Sequence, residues 1–174
     1  MTLQSLDPSA MVFNFLHDST SELATAVRDS LVDGANSVFE SGDLTPVILS
    51  ELEAKRVSPT SELWNKSLSI HVQDAGEVPD GAMGTWRARV IVRALDRKRG
   101  YRNIRATRIA LSKMASKGTV GNLYRPGEDG RIHGGAITIR YMGRTGHRFD
   151  SNLLVDFEAL NFECTYENDS ISGG

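Results

Sequence analysis

The sequence predicts an α+β domain, a mainly antiparallel or mixed β-sheet packed by two α-helices, with an extended N-terminal arm. Three observations carry that expectation. Apolar and polar residues alternate with period two at 68–72, 86–94, 137–141 and through 153–166, which marks strands with one buried face. Apolar residues recur at helical spacing in two other stretches, Leu23, Val27, Leu31, Ala35 and Val38, and Tyr101, Ile104, Leu111 and Ala115. The resulting order is helix, strand, strand, strand, helix, strand, strand, which suits helices packed on one sheet.

The chain has 174 residues, 40% of them apolar, enough for one sizeable core and short for two. The expected organisation is an arm over 1–18, a single domain over 19–167 and a polar, glycine-ended, disordered tail over 168–174. The arm contains Asp7-Pro8, and its Val12, Phe13, Phe15 and Leu16 are too apolar to be left in water, so they are expected to dock on this subunit or a neighbour. Ser19-Thr20-Ser21-Glu22 reads as a capping box, opening a helix that runs to about Phe39. Val47-Ile48-Leu49 reads as a short strand within 46–52. Leu68, Ile70 and Val72 form the next strand, followed by a loop from Asp74 to Gly84.

Trp86, Ala88, Val90, Val92 and Ala94 then enter the core, while Arg87, Arg89 and Arg93 line the other face. A basic turn, Arg97-Lys98-Arg99-Gly100, leads into the second helix, over 101–117, with Gly118 as its left-handed stop. Residues 119–130 read as a flexible connection, followed by the strand of Ile137, Ile139 and Tyr141 and a loop from Gly143 to Asp150. In the last strand the apolar phase changes from Leu153, Val155, Phe157 and Ala159 to Leu160, Phe162, Cys164 and Tyr166. A period-two pattern changes face where a residue is inserted, so a β-bulge is expected near Ala159-Leu160.

Charge is the strongest functional signal. Residues 87–117 carry eleven Lys or Arg against the single acid Asp96, whereas residues 1–86 carry four bases and thirteen acids. The net charge of −2 is thus a cancellation between segregated segments. Such a chain binds something anionic, or meets a partner or a copy of itself with the opposite polarity. The expected interface cations are Arg87, Arg89, Arg93, Arg97, Lys98, Arg99, Arg102 and Arg105, with strand and helix bases in one continuous patch. Glu51, Glu53, Asp74, Glu77 and Asp80 are their candidate acidic counterparts. Opposite patches on one chain favour head-to-tail contacts, which close into rings where the rotation permits. A DNA-binding role for 87–117 is the competing reading, though Tyr101 alone offers an aromatic on the polar surface and no helix-turn-helix or zinc-finger pattern accompanies the charge.

Other motifs lead elsewhere than catalysis. His17, His71, His133 and His147 lack paired spacing, so neither metal nor any other cofactor is expected. Gly130 to Gly135 is not followed by the Lys-Ser or Lys-Thr of a phosphate loop, and Gly127-Glu128-Asp129-Gly130 has too few oxygen ligands for calcium. Glu51 and Glu53 would fall on one face of a strand continuing from 46–52, without a recognisable pocket. No Gly-x-Ser-x-Gly elbow occurs, and Cys164 reads as a small buried hydrophobe. No apolar run reaches membrane-span length, and Met1 to Leu16 does not fit a secretory leader.

The layout of three segments resembles the tail terminator, or tail-to-head joining, proteins of long-tailed bacteriophages. They are the early helix Ser21 to Phe39, the strand and helix from Thr85 through Ala94 to Leu111, and the final strand Leu153-Leu154-Val155-Asp156-Phe157-Glu158-Ala159. The likeness spans about residues 20–166. It implies a non-enzymatic virion subunit, made in the host cytoplasm and placed at the tail neck. Such a subunit forms a ring, hexameric in that family, on the tail tube, ends tube growth and meets the head connector or stopper protein. Since Leu68-Ser69-Ile70-His71-Val72 lacks the proline and aromatic that members often carry before the second core strand, another neck or tail-completion role is the alternative. The long loops Asp74 to Gly84 and Gly143 to Asp150 would contact tube or connector.

Overall fold

The computed structural model describes residues 8–40, 44–79, 85–97, 101–115 and 135–167. Its elements in chain order are α1 (Pro8–Asp18), α2 (Glu22–Asp29), β1 (Val38–Glu40), α3 (Pro46–Ala54), β2 (Ser69–Pro79), β3 (Thr85–Asp96), α4 (Tyr101–Ser112), β4 (Gly135–Arg144), β5 (Arg148–Asp150) and β6 (Val155–Glu167). The strands form one six-stranded sheet of order β1-β2-β3-β6-β4, with β5 also on β6. β1 pairs with β2 in parallel and the other pairs are antiparallel. The fold is α+β with a mixed sheet, as the sequence predicts.

The even-numbered residues of β3 and β6 face three of the helices. Val90, Val92, Ala94, Leu160, Phe162 and Cys164 pack with Val12, Phe15 and Leu16 of α1, Ala24 and Val27 of α2, and Ile104 and Leu111 of α4. Among the described residues, the opposite face is buried at one end only, where Leu95, Val155 and Phe157 meet Leu49 and Leu52 of α3.

That two-sided burial explains the phase change in β6 without a bulge. The β3–β6 register runs unbroken from Thr85↔Glu167 to Asp96↔Asp156, so the expected kink at Ala159-Leu160 is absent. Val155 and Phe157 are apolar because they face α3, and Leu160, Phe162, Cys164 and Tyr166 because they face the other helices or the adjoining cluster of Met11 and Ala88. The register shifts lie elsewhere. One separates Asp74 and Glu77 on β2, and two more interrupt β4, between Ala136 and Thr138 and between Tyr141 and Gly143.

Several local expectations are corrected. The described part of the arm is not extended: Pro8–Asp18 is a helix, and the docking residues Val12, Phe15 and Leu16 are buried in this subunit's own core. The helix expected to run to Phe39 stops at Asp29, and its N-cap is Ser21, whose hydroxyl accepts from Ala24 N, rather than Ser19. Beyond it, Leu31 bridges to Ser67 and Gly34 takes φ +54 ahead of β1, a left-handed conformation that glycine tolerates best. Residues 46–54 are helical rather than a strand, because the Thr45 hydroxyl accepts from Ile48 N and Pro46 fills the first turn, a favoured pairing of cap and proline. β2 continues through the expected loop as far as Pro79, and β5 lies within the expected loop 143–150. Among the described residues, four α-helices therefore pack on the sheet instead of two. Gly118, the connection 119–130 and the tail 168–174 fall outside the described residues.

Buried polar groups pin the layers together. Arg56 is fully buried and donates to Asp96 and to the backbone oxygens of Leu63, at 3.1 Å, and Trp64. Asn103 at the start of α4 donates to the other Asp96 oxygen at 2.8 Å. Burial pushes the Asp96 carboxyl up to about 6, against the opposing pull of Arg56 and Asn103. Thr107 of α4 joins Ser30 and Ser67 through hydroxyl contacts of 2.9 and 3.0 Å. Glu158 is buried on the helix side of β6, where Arg144 donates to it at 2.6 Å and the Arg108 guanidinium stands 3.7 Å away.

Two stability predictions follow from these observations. Leu154 holds φ +56 and is 43% exposed, a conformation that costs a non-glycine residue about 1–2 kcal/mol. Leu154→Gly is expected to raise stability by about 1 kcal/mol, read as a higher denaturant midpoint with unchanged slope. Folded Asp96 holds its proton more tightly than the unfolded chain does, so its contribution is complete below pH 3.8 and is lost as pH rises through about 6. The stability difference, wild type minus Asp96→Asn, is therefore expected to fall by roughly 2–3 kcal/mol across that window, measured by urea titrations at a series of pH values.

Candidate interaction surface

Past the end covered by α3, no element among the described residues covers the face of the sheet opposite α1, α2 and α4. Strand alternation sends Arg87, Arg89, Ile91 and Arg93 onto it. Arg87 and Arg89 are exposed, while Ile91 and Arg93 are half-buried. Arg93 donates to Gln73 of β2 across the strand pair. In register, Arg87 lies opposite Thr165, Arg89 opposite Glu163 and Arg93 opposite Ala159. Glu163 also pairs with Arg140 of β4, so one carboxylate position is flanked by arginines on both neighbouring strands. Arg140 is exposed and extends the row to a third strand. It was legible as the polar partner of Ile139 and Tyr141, but the sequence does not show that β4 and β3 both border β6.

The helical cations lie on the other side of the molecule. Ile104, Leu111 and the following Met114 pack into the core on the sheet's helix face, which leaves Arg102 and Arg105 exposed on the outside of α4. The expected continuous patch is therefore split by the thickness of the sheet. The cause is a reversal that sequence adjacency hides: β3 shows its arginines to one face, and the chain then turns to pack α4 on the other. Arg97 is half-buried at the end of β3, and Lys98 and Arg99 fall outside the described residues. Two further arginines, Arg108 and Arg144, serve the buried Glu158.

The expected acids divide likewise. On a helix instead of a strand, positions two apart point to different sides, and Glu51 is exposed whereas Glu53 is half-buried, its charge adding to the upward push on Asp96. Asp74 accepts from Gly76 N at 2.8 Å, closing the β2 bulge in which Gly76 takes φ +98. Glu77 accepts from the Tyr166 hydroxyl. Both side chains remain exposed, while Asp80 falls outside the described residues.

Among the described residues, no group of three or more His, Cys, Asp or Glu is placed to hold a metal ion. His71 contacts the Glu40 backbone oxygen at 2.6 Å and His147 contacts Asp156 at 2.9 Å, while His133 is outside the described residues. Burial pushes the Cys164 thiol up to about 12. No helix among the described residues is long and apolar enough to cross a membrane.

A surface serving interaction separates from one serving folding in mutant energetics. Arg89→Ala and Arg140→Ala are expected to change stability by less than about 0.5 kcal/mol, as exposed substitutions do. Glu158→Ala, which strips the buried carboxylate from two arginines, is expected to cost about 3–5 kcal/mol. Urea denaturation of the purified variants measures both.

No protein-family model matches this chain, and no curated protein matches it.

Proposed function

We propose that this chain is a non-enzymatic virion structural protein of the tail-terminator kind, which assembles into a ring on the tail tube, ends its growth and joins it to the head connector. The observation that carries the reading is the half-open sheet. One face is sealed by three helices, whereas the other exposes arginines on β3 and β4 beyond the reach of α3. Such a face, on a chain whose remaining segments are acidic, suits protein contacts between complementary surfaces. The resemblance of the sequence to tail terminators, which rests on the strand and helix from Thr85 to Leu111 and on the final strand more than on the early helix, since that helix ends at Asp29, supports the same reading and supplies the hexameric count.

The arginine row also gives the DNA-binding reading its one specific support. Against it, Glu163 stands between Arg89 and Arg140 in register, placing a negative charge where a phosphate would approach, and the cations of α4 face the opposite way. The two readings part experimentally. A ring protein is expected to give annular particles, six-fold for this family, in negative-stain micrographs, and a mass several times the 19.1 kDa of the chain in light scattering. A protein that stays monomeric both alone and with assembled tail tubes overturns the proposal. Filter binding to duplex DNA that weakens steeply with salt, with a slope reduced by about 1 in Arg89→Ala, establishes the alternative.

A further inference from the structure

The outer side of the helix layer carries two stripes of opposite charge on neighbouring helices. α2 packs against both α1 and α4, and the Ser30 hydroxyl just after α2 meets Thr107 of α4 at 2.9 Å. In α2, Ala24 and Val27 are buried, which turns Glu22, Thr25, Ala26 and Asp29 outward as one exposed stripe. In α4, Ile104, Thr107 and Leu111 are buried, which turns Arg102, Arg105, Ala106 and Ile109 outward at the same spacing, with the exposed Lys113 one turn further on. The first stripe holds two acids and no base, the second three bases and no acid. Arg28 of α2 lies outside its stripe, half-buried, and donates to the backbone oxygens of Leu16 and Ser19 at 2.7 and 2.5 Å. Among the described residues, none of Glu22, Asp29, Arg102, Arg105 and Lys113 is in an ion pair.

We infer that two copies of this chain pair through this layer, α2 of each lying on α4 of the other. The contact uses the side of the molecule opposite the arginine row of the sheet, so it goes beyond the ring reading and does not depend on it. Charge selects the arrangement. α2 on α2 sets acids against acids, α4 on α4 sets bases against bases, and only α2 on α4 is attractive. Because α2 and α4 are neighbours in one layer, a two-fold axis along their seam makes both attractive contacts at once, and the joint is isologous and closes at two copies. The spacing fits as well. At a rise of about 1.5 Å per residue, Glu22 and Asp29 are about 10 Å apart along α2, and Arg105 and Lys113 about 12 Å apart along α4 and the turn after it. Between those charges each stripe is small or apolar, with Thr25 and Ala26 on α2 and Ala106 and the 45% exposed Ile109 on α4, so the helices can approach closely and Ile109 gains an apolar neighbour.

Charge reversal tests the pairing. Glu22→Lys with Asp29→Lys leaves bases on both helices, and Arg102→Glu with Arg105→Glu leaves acids predominant on both. Each double variant, shown to be folded by circular dichroism, is expected to form dimers at least tenfold more weakly than the wild type in low-salt analytical ultracentrifugation. An equal mixture of the two is expected to recover wild-type dimer affinity as mixed pairs, since every helix contact is again acid on base. Added salt is expected to weaken the wild-type dimer, because the pairs are at the surface. Carbodiimide coupling of a mixture of heavy-isotope-labelled and unlabelled wild type then reads the contact itself: Lys113 of one copy is expected to be joined to Glu22 or Asp29 of the other. A wild type with no dimer at low salt at any concentration overturns the pairing, as does a mixture of folded variants that fails to recover the dimer. Coupling that joins no labelled chain to an unlabelled one through these residues also overturns it, and if rings still form in that sample the ring reading stands.

Discussion

The buried pair of Arg56 and Asp96 is the constraint on which the ordering of the layers depends. β3 ends at Asp96, α4 begins within a few residues of it, and α3 must cross the end of the sheet to cover its second face. Arg56 and Asn103 fasten these parts to one carboxylate and to the backbone of Leu63 and Trp64. Desolvation outweighs the attraction, as the raised Asp96 value shows, so the cluster adds little net stability of its own. Its contribution is geometric: any packing that separates the four segments strands a guanidinium without acceptors, at a far greater cost.

With that end secured, the rest of the sheet can be asymmetric. Among the described residues, three helices saturate one face, and α3 protects only the near end of the other. The main-chain core and the solvent-facing arginines are then alternate residues of the same strand. A substitution at Val90 and one at Arg89 thus act on different properties, packing in the first case and surface chemistry in the second.

The strands were readable because burial alternates along them, and β3 matched its pattern residue for residue. Beyond that, the reading failed wherever two signals competed. Val47-Ile48-Leu49 has strand composition, yet the cap at Thr45 and the proline after it decided for helix. The apolar shift in β6 was real, but a linear pattern cannot distinguish a bulge from a strand buried on both faces by different neighbours. The apolar stripe after Ser21 continues through Val38, although Gly34 and the bridge of Leu31 to Ser67 take the chain out of the helix well before that. For the candidate surface, the arginine row of β3 was legible. Its separation from Arg102 and Arg105, and its extension by Arg140, depend on strand order and on which side α4 packs, and neither is written in local sequence.

Cys164 sits on β6 at the middle of the main core, opposite Ala88 and within the helix-covered face. With its sulfur out of reach and its thiol held protonated near neutrality, it reacts with an alkylating reagent only when the surrounding layers part. As the chain's single cysteine, it gives every preparation an internal clock: the rate at which it is labelled reports how often the domain opens, with no probe added to the fold.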